Sequence, residues 1–290
     1  MNLFYKPRKL EELLQLRRDH PEAELIFGGT DVCVRLHRTG QTPDLIDLTS
    51  ISELKGISID KDLITVRAGA TFTEITESDT IQFYAPILAC AADSIGSTQI
   101  RNRASIGGNL CNASPAADSP SALVVLESKL NLIKFGSKGR EIRQVSVEDF
   151  VLSPGRTVIE PDEILLSIEF QVPRSFGYSY EKVGRRKSLA ISRLSGSCLL
   201  KEQDGEIVEI RLSIGSVTNR PIRFSATEKI LLGKKLDEAV LNDAGKMSSM
   251  TVEKLTGIRE SSAYKIPVVN NITIRLIETA FDSAIYGEKK

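Results

Sequence analysis

Arg101-Asn102-Arg103-Ala104-Ser105-Ile106-Gly107-Gly108-Asn109-Leu110-Cys111-Asn112-Ala113-Ser114-Pro115-Ala116-Ala117-Asp118-Ser119-Pro120 is the stretch from which the rest of the chain is best read. Its paired glycines, set between Ser105 and Asn109, make a turn where backbone N–H groups converge with no Cβ in the way, a common means of cradling phosphate. A second such turn lies upstream. There Leu25-Ile26-Phe27 reads as a short apolar strand running into Gly28-Gly29, with Thr30 or Asp31 placed to cap a helix carrying Val32, Val34 and Leu36. Two cradles suit a ligand that contains a pyrophosphate.

Composition narrows the chemistry. With 290 residues the chain can remove roughly three quarters of its unfolded surface from water, and the length suggests about two domains. Lys plus Arg and Asp plus Glu each number 38, with no basic block, so no nucleic-acid partner is expected. The N-terminus, Met1-Asn2-Leu3-Phe4-Tyr5-Lys6-Pro7, lacks the apolar centre of a signal peptide, and no run approaches the roughly 18 apolar residues of a membrane span. A cytoplasmic protein without membrane contact is the expectation. Cys33, Cys90, Cys111 and Cys198 are scattered with no C-x-x-C pair, so zinc, iron–sulfur and disulfide readings fail on spacing and reduced thiols in packed sites are expected. His20, just before Pro21, suits a helix C-terminus, and His37 reads as a surface residue. Two histidines supply neither a hydrolytic triad nor a metal centre, so redox chemistry has to come from a borrowed cofactor.

The periodicities predict an α+β chain with a seam. Leu10, Leu13, Leu14 and Leu16 mark one face of a helix that Pro21 ends, and strands are expected at Leu25–Phe27, Leu45–Leu48 and Leu63–Ala68. Helices are expected over 73–77, over 87–95 and from Pro120 onward. Lys129–Phe135, the residues around Ile142–Val145 and Glu163–Val172 read as strands, the first two joined at Gly136–Gly139 and the last closed by Pro173. Beyond it, 189–200 and 207–216 form a hairpin around Asp204-Gly205, followed by helices over 225–232, 237–250 and 268–286. The domain boundary falls near residue 174.

Together these motifs resemble the flavoprotein subunit of the molybdenum-containing hydroxylases, the family of xanthine, carbon monoxide and nicotinate dehydrogenases. The likeness runs through Phe27-Gly28-Gly29-Thr30-Asp31 and Gln99–Asn109, then Cys111–Pro120, Ser146–Phe150, Pro161–Ile168 and Glu181–Ile191, so it covers essentially the whole chain. The version of Cys111–Pro120 is similar to that of separate-subunit bacterial xanthine dehydrogenases. The resemblance implies an FAD-binding domain of the vanillyl-alcohol-oxidase type over 1–173, with subdomains of about 1–55 and 56–173. A smaller α+β domain over 174–290 would lie beside the flavin ring. It implies that Phe27, Gly28, Gly29, Thr30 and Asp31, with Ser105, Ile106, Gly107, Gly108 and Asn109, line the pyrophosphate and ribose. Asp118 would hydrogen-bond the cofactor, or cap the helix after Pro120, or do both. Leu165 would pack on the isoalloxazine, and Lys182 would stabilise negative charge near N1 and C2=O of the ring.

Phe83 or Tyr84 and Tyr178 or Tyr180 are the nearest aromatic supply, while Arg101 and Arg103 read as structural or surface residues. The Gly184-Arg185-Arg186-Lys187 run reads as a solvated loop. The likeness further implies partners: an iron–sulfur subunit with two [2Fe-2S] clusters and a molybdopterin subunit, in a dimer of heterotrimers, with NAD+ or another acceptor taking the electrons. No cysteine-rich insert for a further [4Fe-4S] cluster is present. Two other readings differ in class: a self-contained FAD oxidase or reductase on the same fold, and a non-catalytic nucleotide-binding assembly protein.

Overall fold

In the computed structural model the described residues are 3–137, 139–184 and 191–287. Leu10, Leu13 and Leu14 recur at helical spacing and are all buried in helix α1 (Leu10–Asp19), which follows a two-residue strand β1 (Phe4–Tyr5). The chain then forms β2 (Glu24–Ile26), α2 (Val32–Thr39) and β3 (Leu45–Asp47). Strands β1, β3 and β2 make a small parallel sheet. His20 ends α1 and its Nε2 lies 3.0 Å from the Tyr5 hydroxyl, a structural role at the expected helix terminus.

A five-stranded antiparallel sheet follows, ordered β4 (Ile57–Asp60), β5 (Leu63–Arg67), β10 (Ile164–Gln171), β6 (Lys129–Gly136) and β7 (Gly139–Ser146). Between β5 and β6 run short helices: α3 (Phe72–Glu77), α4 (Asp79–Tyr84), α5 (Pro86–Asp93), α6 (Thr98–Arg101), α7 (Ile106–Cys111) and α8 (Ser119–Val125). After β7 come α9 (Val147–Phe150) and a two-stranded ribbon, β8 (Val151–Ser153) with β9 (Arg156–Thr157). Central strand β10 is apolar on both faces because both are covered. Leu165 and Ile168 join the core under α3, α5 and α8, whereas Ile164 and Leu166 join Leu10, Leu13, Leu14 and Ile46 on the other side. The N-terminal unit therefore has no closed core of its own and seals against β6 and β10.

From Gly177 the chain builds an antiparallel sheet, β11 (Gly177–Gly184), β12 (Ser192–Gln203) and β13 (Glu206–Gly215). Helices α10 (Ser225–Leu231), α11 (Glu238–Thr256) and α12 (Ser262–Tyr286) cover it. The expected hairpin turn at Asp204-Gly205 is present, both residues having positive φ. Helix α12 begins before the expected position 268 and runs through Pro267, its buried face of Val269, Ile272, Thr273, Leu276, Ile277 and Ala280 outweighing the hydrogen bond that proline cannot make. Residue 138 of the expected Gly136–Gly139 turn and residues 185–190 of the Glu181–Ile191 segment lie outside the described residues.

Helix α8 holds the two halves together. Every residue in it is buried, and Ser121 Oγ lies 2.9 Å from Ser197 Oγ on β12. At its C-terminal end Glu127 bridges Arg211 and Arg223 at 3.0 Å each.

Candidate functional site

The first glycine turn lies against residues 103–104, just ahead of the second. A Cβ on Gly28 would overlap the Arg103 carbonyl, so only glycine lets the first turn lie on the segment that leads into the second. Among the described residues, no acceptor within the chain faces the amides of Gly28, Gly29, Thr30 or Asp31. The expected helix cap is Thr30 or Asp31, and of the two Asp31 is the one at the helix start. It occupies the N-cap position of α2 but with helical dihedrals, φ −104° and ψ −45°, and its side chain makes no capping bond. An N-cap side chain reaches the next amides from extended backbone, so this geometry leaves α2 without a side-chain cap, although Cys33 N donates back to Gly29 O at 3.0 Å.

The second turn departs from expectation in the opposite way, its amides being taken up within the chain. Its amides were expected to be free for phosphate, yet Ile106 N donates to Ala70 O at 3.0 Å and Gly107 N to Ala68 O at 2.8 Å. Ser105 caps α7, its Oγ accepting from Gly108 N at 3.1 Å, while Asn109 N donates to Ser105 O at 3.0 Å. The cause is the docking of α7 onto the segment after β5. The adjacent glycines consequently have separate roles. A Cβ on Gly107 would stand 2.6 Å from the Ala68 carbonyl, whereas one on Gly108, which is exposed, would meet only Ser105 Oγ, at 3.1 Å. Ala68 N in turn donates to Leu166 O at 3.0 Å, which ties this turn to β10 beside the buried Leu165.

A polar cluster closes the seam nearby. Lys182 on β11 reaches Asp118 Oδ2 at 2.7 Å and donates to the Ser94 carbonyl at 2.7 Å, and Ser192 Oγ donates to the other carboxylate oxygen. Ser94 Oγ meets the Tyr180 hydroxyl at 2.9 Å. Asp118 stands at the N-cap position of α8 but makes no capping bond, so the expected cap is corrected: its carboxylate is turned toward the C-terminal domain instead. Burial pushes the Asp118 carboxyl above its usual range, with the hydrogen bonds from Lys182 and Ser192 and the lysine charge pulling against that rise. Burial, reinforced by Asp118, also raises the Tyr180 phenol.

Other expectations sort readily. Arg101 is structural, with Nη2 3.2 Å from Asp93, and the Arg103 carbonyl is what Gly28 packs against. Of the cysteines Cys198 is fully buried, whereas Cys33, Cys90 and Cys111 keep exposed surface, although their surroundings still push the Cys90 and Cys111 thiols up. Phe83, Tyr84 and Tyr178 line a separate cavity of about 610 Å³ beside the 172–176 connector, so of the aromatic candidates Tyr180 alone enters the cluster around Lys182. Ser94 and Ser192 carry no spacing signal in the sequence, because each joins the site across the domain seam. Among the described residues no group of His, Cys, Asp and Glu is arranged to hold a metal ion, and no helix is long and apolar enough to cross a membrane.

Comparison with known proteins agrees with this layout. Residues 1–174 match the family described as the FAD binding domain in molybdopterin dehydrogenase, and residues 178–280 match the CO dehydrogenase flavoprotein C-terminal domain. The chain is 32% identical over 288 residues to the nicotinate dehydrogenase FAD-subunit of Eubacterium barkeri, covering 96% of each. It is 28% identical to the xanthine dehydrogenase FAD-binding subunit of Escherichia coli O157:H7, covering 97% of this chain and 96% of that one. Among solved structures, quinoline 2-oxidoreductase from Pseudomonas putida 86 superposes with a TM-score of 0.90 at 26% identity, over 99% of both chains. With its two segments matched in order and its relatives covered nearly end to end, the chain belongs to the FAD-binding subunits of the molybdopterin dehydrogenases and is a component of an oxidoreductase.

Proposed function

We propose that the chain holds FAD across the two glycine turns, with the C-terminal sheet over the flavin end, and serves as the electron-exchange stage of a larger hydroxylase. An iron–sulfur subunit with [2Fe-2S] clusters and a molybdopterin subunit are the partners, and NAD+ or another acceptor takes the electrons. Support for the partners comes from relatives whose names describe FAD subunits of nicotinate and xanthine dehydrogenases. The observation that carries the cofactor is the contact of Gly28 with Arg103, which lays the bare first-turn amides on the segment that leads into the turn with the exposed Gly108.

The residues fit the group. Amides without acceptors at the start of a helix favour an anion, and a flat opening at Gly108 leaves room that any side chain would fill. When bound, FAD supplies a centre that exchanges electrons singly or as a hydride. The protein's share is to bind, orient and exclude water. Lys182 presents a cation whose counter-charge, Asp118, is already in place, so it can take up a negative charge without an unpaired cation resting in the seam. The substrate of the hydroxylase is chosen in another subunit, in keeping with relatives named for both nicotinate and xanthine.

Gly108→Ala tests the cofactor assignment. Within the chain the new methyl meets only a hydroxyl, and alanine is the better helix former, so stability should stay within about 1 kcal/mol of wild type or rise. FAD binding should weaken about tenfold or more, because the methyl takes the space of a phosphate oxygen. Wild-type FAD content in a folded Gly108→Ala protein refutes the assignment.

A further inference from the structure

Asn109 sits in α7 with its side-chain carbonyl already occupied, since Ser119 Oγ donates to Asn109 Oδ1 at 2.7 Å. Ser119 is fully buried at the first position of α8, next to Asp118, and so cannot touch a ligand in the open cleft. A serine hydroxyl has one proton, and here it is given to the asparagine. An asparagine carries its acceptor on one side of Cγ and its two donors on the other. With Oδ1 drawn toward Ser119, Nδ2 turns the opposite way. It is not among the buried unpaired atoms, and it meets no acceptor among the described residues.

We propose that Ser119 is a positioning residue that fixes the polarity of Asn109, so that the cleft offers an anionic diphosphate an amide donor and never the amide oxygen. This rests on the diphosphate reading of the cleft given above. It also explains what the second turn has left to give. The amides of Ile106 and Gly107 are spent on Ala70 and Ala68, and that of Gly108 on Ser105, so the Asn109 side chain is the free donor of that turn. A carboxamide released from Ser119 can rotate by half a turn and present oxygen, which a phosphate repels. Ser119 removes that option from a place the ligand never reaches.

The test is titration of the FAD-free full chain with FAD, followed by flavin fluorescence, in wild type, Ser119→Ala, Asn109→Ala and the double variant. Ser119→Ala should weaken binding about fivefold, the net worth of one hydrogen bond. Asn109→Ala should weaken it further, and Ser119→Ala should then add nothing in the Asn109→Ala background, because its effect passes through that amide. Asn109→Asp accepts the Ser119 proton equally well yet faces the diphosphate with a negative charge, and it should bind FAD less well than Asn109→Ala. If the buried alanine variant fails to fold, Ser119→Cys keeps nearly the same shape with a weaker donor and should give a smaller loss. Unchanged affinity in Ser119→Ala, or effects that simply add in the double variant, overturns the proposal. A wild-type chain that binds no FAD instead overturns the diphosphate reading on which it rests.

Discussion

Lys182→Met is expected to cost about 3–5 kcal/mol of stability, the usual penalty for removing one partner of a buried ion pair. The pair is well enclosed, the lysine side chain being 15% and the aspartate 8% exposed. Methionine retains most of the aliphatic packing but leaves the Asp118 carboxylate with only the Ser192 hydroxyl as donor. Burial already raises this carboxyl, and Lys182 is the largest influence opposing that rise, so its loss lifts the folded-state value further. A carboxyl whose pKa is higher folded than unfolded binds protons more readily in the folded state. Its contribution is therefore complete below the unfolded value and is lost as pH climbs through the folded one. Urea unfolding across a pH series should show Lys182→Met falling increasingly behind wild type from the ordinary carboxylate range upward, and adding Asp118→Asn should remove that slope. A variant that parallels wild type at all pH values would mean the pair is not held in the seam.

Gly28→Ala should be comparably severe for a different reason. The added methyl overlaps a backbone carbonyl, which has no rotamer by which to retreat, so the first turn and the 103–104 segment have to part. A loss of about 3 kcal/mol or more is expected, equivalent to a drop in Tm of about 6–12 °C, together with loss of the cofactor. Gly108→Ala, only a few residues from the same contact, should keep its stability and weaken FAD binding alone. The contrast between these two alanines separates the glycines that build the site from the one that faces it, and thermal melts with and without added FAD would reveal it.

Much of the fold is legible because its elements are long and periodic or carry their own turn residues. The leucines of α1, the Asp204-Gly205 hairpin and the strands β6 and β10 all announce themselves locally. The elements missed are those whose reason lies elsewhere. Strand β1 has two residues and exists only by pairing with β3, and α6 has four and serves to carry the chain toward Ser105. The site divides in the same way. Gly28, Gly29, Gly107 and Gly108 stand out as pairs, but which of them faces open space depends on Ala68 and Arg103, residues remote in sequence or unremarkable in kind. Which amides are free is equally invisible, since Ser105 and the Ala68 and Ala70 carbonyls take up those of α7 while Asp31 declines to cap α2.

Helix α8 gives one flank to the core of the first domain and the other to strand β12, with Leu199 of β12 packed into that first core. The two stretches that match separate families thus share a packed face. A truncation ending at residue 174 would strip this helix of half its cover and bare a greasy stripe with serines left dangling, and such a fragment should aggregate when expressed alone. Moving the C-terminal segment onto another carrier would require that carrier to bring a matching helix.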